Sequence, residues 1–223
     1  DVDYVIGNSK TPDSVNWISS FQKIDYLMLM NATCGSVNSN WYWSSTGQNQ
    51  AFRRKVYVAC GGYTSLSKYL QGDDSLFLQI CRKNIERFKA VFAHDKDSTV
   101  TCRQENQIIP LLKQRIRWSC DARFMWKFNP VFFIMVIATF LSNLLIMVSM
   151  ILVFIDKSVL SVLLISVLFK LMIEYVLMKK GRLLFEKQIS LFQFILWFLL
   201  QIPYVVVMGA GSFFSNHISW RNQ

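Results

Sequence analysis

The sequence predicts an α/β region followed by an α-helical transmembrane region, and three observations predict it. Val2, Tyr4 and Ile6 alternate with Asp3 and Val5 up to Gly7, a strand pattern. Apolar residues then recur at helical spacing, first at Val15, Ile18, Phe21 and Ile24, later at Leu76, Phe77 and Ile80. From Val131 onward, uncharged runs of membrane length replace these mixed patterns.

Each element follows in turn. Asp1 to Gly7 reads as a strand. Thr11-Pro12 supplies an N-cap and a first-turn proline, so a helix is expected to begin there. Residues 31–48, rich in Asn, Ser, Gly and Thr, read as a loop. Phe52 to Ala59 reads as a short helix closed by Gly61-Gly62. Asp73-Asp74 precedes an amphipathic run that includes Ile85 and Phe88, and Ala90 to Ala93 reads as a strand. Glu105 to Phe128 reads as a helix broken at Pro110. Within it Arg115, Arg117, Arg123 and Lys127 interleave with Ile116, Trp118, Phe124, Trp126 and Phe128, a mixture suited to the membrane interface.

Val131 to Ile155 carries no charge, and Asp156-Lys157 makes a tight turn after it. Ser158 to Met178 is a second run holding Lys170 and Glu174. A lone charge at mid-span costs about 2.5–3.5 kcal/mol, but residues four apart share a helix face and can pair. Ile189 to Phe214 is a third run, expected to bend at Pro203 and loosen at Gly209 and Gly211. The organisation expected is therefore residues 1–112 as one folded part, 113–130 as an interfacial amphipathic helix, and 131–223 as a membrane region with helices near 131–155, 158–178 and 189–214. Lys179, Lys180, Arg182 and Lys187 place the connection before the third helix in the cytosol, and residues 1–130 with it.

Composition agrees with this division. The chain has 223 residues, is 52% hydrophobic and carries a net charge of +10. Residues 1–130 hold 17 Lys/Arg against 11 Asp/Glu, and residues 131–223 hold 7 against 3. A basic excess beside apolar spans suits an anionic membrane face or a phosphate-bearing ligand. No nucleic-acid-binding motif is present, so nucleic acid is not expected as a partner. The five cysteines contain no Cys-x-x-Cys pair, and all precede the apolar runs, which fits a reducing compartment. His94 and His217 are far apart and read as surface or lining residues, so no metal ligands are expected. Because it opens on Asp1, the chain reads as the C-terminal piece of a longer protein.

Three motifs carry chemistry. Gly47-Gln48-Asn49-Gln50-Ala51-Phe52-Arg53 is a glycine-led turn whose backbone N–H groups and Asn49 can grip a polar ligand. Gly72-Asp73-Asp74 puts carboxylates at a helix N-terminus, where the dipole should hold them ionised and ready to accept a proton. Gln114-Arg115-Ile116-Arg117-Trp118 sets Gln114 and Arg117 one turn apart; an arginine fork matches phosphate oxygens, and an indole packs against apolar ring faces. Taken singly, each is an ordinary cap, turn or basic helix.

In this order and ahead of membrane runs, the motifs resemble the C-terminal half of membrane-embedded family-two glycosyltransferases, the group that includes cellulose, chitin and hyaluronan synthases and ceramide glucosyltransferases. The resemblance is detailed over residues 44–128. It implies that residues 1–112 are the late part of a nucleotide-diphospho-sugar transferase-like domain. It implies transfer of a sugar, with inversion, from a nucleotide-sugar donor to a lipid or growing glycan acceptor at a bacterial cytoplasmic membrane. Asp74 would be the general base and Asp73 its acidic neighbour. Gln114, Arg117 and Trp118 would bind the acceptor end and the donor diphosphate; Gly47, Asn49 and Arg53 would complete the substrate pocket. A divalent metal, Mg or Mn, is expected in the full-length protein, with its ligand motif upstream of this chain. Asp1-Val2-Asp3 lies too close to Gly47 to be that motif. The alternative is a non-catalytic, membrane-anchored glycan- or lipid-binding protein. A transporter reading rests only on Lys170 and Glu174.

Overall fold

A computed structural model describes residues 2–66, 73–120 and 122–213. Asp1, Gly72, Phe214 and His217 lie outside the described residues, as does the side chain of Arg123. The chain is mostly helical, with two small sheets and three apolar helices at its C-terminal end.

Strand β1 (Tyr4–Gly7) is the centre of the larger sheet. It pairs antiparallel with β3 (Gln50–Phe52) and parallel with β4 (Ala90–Ala93), with Tyr4 opposite both Phe52 and Ala90. Tyr4 and Ile6 are fully buried, as the alternation requires. Phe52 therefore ends a strand, and the helix after it, α2, covers only Arg54–Ala59. Gly61 and Gly62 close α2 with φ of +73° and +57°, a backbone that glycine adopts without strain. The second sheet pairs β2 (Ser9–Lys10) in parallel with β5 (Val100–Thr101).

Helix α1 runs from Trp17 to Asn38, which corrects both of its expected ends. Asn16, not Thr11, is the N-cap: its side chain accepts from the Ser19 N–H, and the Ser19 hydroxyl accepts from the Asn16 N–H in return. At the other end, the polar stretch expected as loop stays helical through Asn38 because its side chains find burial. Asn31, Thr33, Cys34, Ser36 and Val37 are all buried, and Asn31 Nδ2 donates to the Leu177 carbonyl at 2.8 Å. Tertiary packing here overrides local propensity.

Helix α3 (Ser75–Asn84) buries Leu76, Phe77, Leu78, Ile80 and Cys81 against the sheet. Helix α4 (Ile108–Ser119) and helix α5 (Ala122–Phe128) replace the single helix expected over 105–128. Pro110 does not break it, because a proline in the first turn removes an N–H that has no intrahelical partner. The interruption falls instead between Ser119 and Ala122.

The apolar helices are α6 (Pro130–Leu152), α7 (Val159–Leu184) and α8 (Leu191–Phe213). All three are long and apolar enough to cross a membrane, with mean hydropathies of 2.6, 2.2 and 2.0. Asn129 caps α6 by accepting from the Phe132 N–H, with Pro130 in the first turn. Its amide also donates to the Trp41 carbonyl at 2.9 Å and to Gln79 Oε1 at 3.1 Å, and Gln79 Nε2 donates to the Tyr42 carbonyl at 2.6 Å. These buried amides fasten α3 to the start of the first apolar helix. Helix α7 continues six residues past the expected Met178, and Pro203 lies within α8, which runs on through it. Gly209 and Gly211 mark close approach rather than looseness: a Cβ would lie 2.3 Å from the Phe140 ring at the first and 2.8 Å from Ile116 at the second. Lys170 and Glu174 form an ion pair, and Gln201 Nε2 donates to the same carboxylate at 2.7 and 2.6 Å, tying α7 to α8.

Two hydrophobic cores result. One joins the larger sheet, α3 and Met125 of α5. The other gathers α1, Leu111 of α4, and the apolar helices through Ile146, Met178, Phe194 and Ile202.

Candidate active site

The acidic pair sits where α3 begins. Asp74 is its N-cap, half-buried, and accepts from the Ser75 N–H and, at 3.2 Å, from the Gly47 N–H. Asp73 is exposed beside it, and its carbonyl accepts from Gln50 Nε2 at 3.1 Å. The Ser45 N–H donates to Ser75 Oγ at 3.2 Å, and the Ser75 hydroxyl donates back to the Ser45 carbonyl at 3.1 Å. The Gln50 side-chain carbonyl accepts from the Tyr4 hydroxyl and, at 3.0 Å, from Ser45. The glycine-led turn and the acidic turn, 27 residues apart between Gly47 and Asp74, are thus laced together.

Two influences compete on the Asp74 carboxyl. Burial raises its pKa most; the Ser75 and Gly47 N–H groups pull it down, and the charge of Asp73 pushes it up again. The net direction is up from 3.8. The helix N-terminus was expected to dominate, but burial outweighs it. Asp74 therefore holds a proton more strongly than a free carboxylate and is correspondingly the better base.

The remaining residues of the first motif are engaged by the fold. Asn49 Nδ2 donates to the carbonyls of Asn8 and Ser98, both at 2.7 Å. Its side chain lies directly over Gly7, where a Cβ would come within 2.2 Å of Asn49 Cγ. Arg53 is exposed at the entrance to α2, and its Nε donates to the Val2 carbonyl at 2.5 Å.

Helix α4 divides its motif between two faces, since residues two apart point about 200° from one another. Arg115 is 3% exposed and pairs with Asp25 of α1 at 3.0 Å. Its guanidinium lies 4.2 Å from the centre of the Trp118 ring and 4.9 Å from that of Tyr26. Those two rings meet edge to face at 5.9 Å. One face of Trp118 is thus covered by a cation of its own helix. Burial pushes the Asp25 carboxyl up, while Arg115 and then the Tyr204 hydroxyl pull it back. Gln114 and Arg117 are half-buried. The closest packing partner of α4 is α8, while α3 packs on α2 and α5, so the two halves of the candidate site rest on different neighbours.

Sequence reasoning missed Tyr4, Ser45 and Gln50 around Asp74, and Asp25 and Tyr204 around Arg115. Gln50 was inside the motif and Asp25 was the one acid in an apolar helix, so each had a signal. Tyr4 and Tyr204 read as ordinary core residues.

Neither the curated proteins nor the solved structures give a match to this chain. The model of one protein family, glycosyl transferase family 21, matches residues 38–223. That stretch contains the laced turns, α4 and all three apolar helices, most of the chain. The motifs resemble family two, the match names family 21, and the two agree on glycosyl transfer. The chain belongs to glycosyl transferase family 21.

Proposed function

We propose that this protein moves a sugar from a nucleotide-sugar donor onto a lipid or growing glycan acceptor at a membrane, with inversion at the anomeric carbon. The observation that carries the reading is Asp74. It is a half-buried carboxylate with a raised pKa, braced by two backbone N–H groups and placed at the mouth of a helix fastened to the first apolar helix.

In this reading Asp74 takes the proton from the acceptor hydroxyl. The freed oxygen forms a bond to the anomeric carbon as the bond to the diphosphate breaks. Single displacement needs one base on the face opposite the leaving group, as in inverting hydrolysis. Asp73 keeps Asp74 basic. Gln114, Arg117 and Trp118 bind the departing diphosphate and the acceptor end, where a guanidinium stabilises the charge that develops. Gly47 presents its N–H to Asp74, and Asn49 and Arg53 hold the turn that carries it. The first part of the chain then serves as the late portion of an α/β transferase domain, with α4 and α5 at the membrane interface. The basic set around the end of α7 places residues 1–130 in the cytosol of a cell with such a membrane. No group of three His, Cys, Asp or Glu side chains able to hold a metal ion gathers among the described residues, so no step here runs through magnesium or manganese.

The test is Asp74→Asn in the full-length protein, assayed for sugar transfer in lipid. General-base removal should lower kcat by about 10²–10⁴-fold, with the protein still folded. Undiminished turnover would end the assignment.

A further inference from the structure

A second charged feature lies apart from Asp74, on elements that carry none of the residues assigned to sugar transfer. Lys10 of β2, Lys23 of α1 and Lys187 of the loop between α7 and α8 line one depression, together with Thr11, Tyr26 and Phe185. Phe185 and Lys187 follow directly on Leu184, the last residue of the second apolar helix, so the depression opens at the level where that helix leaves the apolar layer. Its empty space is about 270 Å³ including the mouth, of which about 10 Å³ is enclosed, enough at the floor for one oxygen atom.

Two independent observations mark it as built to receive an anion. All three lysines are half-buried rather than extended into solvent, and the Lys23 side chain is only 19% exposed. The Thr11 hydroxyl, on a residue 5% exposed, has no hydrogen-bond partner among the described residues. A buried hydroxyl without a partner costs stability unless something supplies one. Asp13 is the acid nearest to hand, 4.0 Å from Lys23 with its side chain fully exposed; Glu186, next to Lys187, turns away to pair with Lys96 at 2.6 Å. Lys187 is held under α7 by its N–H, which donates to the Arg182 carbonyl at 3.0 Å, and by Glu186, whose φ of +49° reverses the chain. Burial lowers the pKa of Lys187, and Lys10 and Lys23 lower it further, with Asp13 opposing. Three like charges held this close are relieved by a shared counterion.

We infer that Lys10, Lys23, Lys187 and the Thr11 hydroxyl form a phosphate-binding subsite at the membrane boundary. One phosphate oxygen accepts from Thr11 at the floor while the lysines surround the rest at the mouth. The phosphate is either the headgroup of an anionic lipid or a free phosphate from solution, and the same chemistry recognises both.

The experiment uses the full-length chain in nanodiscs of neutral zwitterionic lipid. One arm dopes the nanodiscs with phosphatidic acid and counts retained lipid by native mass spectrometry. The other adds inorganic phosphate and follows phosphorus line broadening. In whichever arm binds, Lys187→Gln should weaken affinity about fivefold, the share of one lysine near a charged surface. Lys187→Arg should keep the affinity and Thr11→Val should lose part of it. Retention of phosphatidic acid without competition from phosphate assigns a headgroup; broadening in neutral nanodiscs assigns free phosphate. The subsite is overturned if Lys187→Gln and Thr11→Val leave both probes unchanged. It is equally overturned if Lys179→Gln, outside the depression, weakens binding as much as Lys187→Gln does. If Lys187→Gln folds poorly, Lys10→Gln carries the same test.

Discussion

Asp25 and Asp74 are both carboxylates whose pKa is raised by burial, yet they are answered differently. Asp25 meets a whole guanidinium at 3.0 Å, roofed by Trp118 and Tyr26 and joined by Tyr204. Asp74 meets only the N–H groups of Ser75 and Gly47, with a second acid beside it. A buried carboxylate matched by a cation is locked in one protonation state and holds helices together. One left with backbone dipoles and a like charge stays basic and reachable. The contrast separates structure from chemistry within a single basic, motif-rich stretch.

The largest effect should come from breaking the closed site. Asp25→Ala leaves Arg115 buried without its counter-charge, and loss of one partner of a buried pair costs about 3–5 kcal/mol. Chemical unfolding in detergent should show this as a lower midpoint. Replacing both partners together, Asp25→Leu with Arg115→Met, should recover most of the loss, because the desolvation cost disappears with the charges. Asp74→Asn should behave oppositely, losing transfer while keeping the midpoint. The folded-state pKa of Asp74 lies above its unfolded value. The stability it contributes is therefore present below the unfolded value and lost as pH rises through the folded one. Asparagine carries no such loss at neutral pH and still caps the helix. If both substitutions cost stability alike, the distinction between the two sites fails.

The apolar helices offer an intermediate case. Glu174 accepts from Gln201 at 2.7 and 2.6 Å and pairs with Lys170, which lies 5.2 Å from the Phe198 ring. Glu174→Ala strands Lys170 among apolar side chains. The expected loss is at most the mid-span cost of one lysine, about 2.5–3.5 kcal/mol, and snorkelling should trim it. Steric trapping or unfolding in bicelles would measure it. A substitution without effect would mean that Lys170 already reaches water.

What was legible in the sequence follows from what is local. The apolar runs declare themselves by composition, and α6 and α8 end within a few residues of their expected limits. Strand β4 and the caps ahead of α3 depend on neighbours in the chain and were readable. The helical tail of α1 was not, because Asn31, Thr33 and Ser36 stay helical only through burial against distant segments such as Leu177. Strands β2 and β5 have two residues each, too short for any periodicity to register. In the α4 motif, spacing alone could not tell that Arg115 turns inward toward Asp25, since the partner lies 90 residues earlier. The lacing of Gly47 to Asp74 was implied by the order of the motifs, but Tyr4 and Gln50 entered it through the sheet.

The smallest effect is also the most specific to the open site. Asp73 raises the Asp74 pKa by its charge, though less than burial does. Transfer needs Asp74 ionised, so activity rises with pH through that pKa and the acid limb of the kcat/KM profile reports it. Asp73→Asn removes the like charge, so the Asp74 pKa should fall and the acid limb should move to lower pH. The base is weaker in the same variant, so the plateau above the limb should drop slightly rather than rise. Asp73 is exposed, hence added salt should move the wild-type limb in the same direction and leave the Asp73→Asn limb almost still. An acid limb that moves upward, or one equally salt-sensitive in both proteins, would mean that Asp73 does not act on Asp74 through its charge.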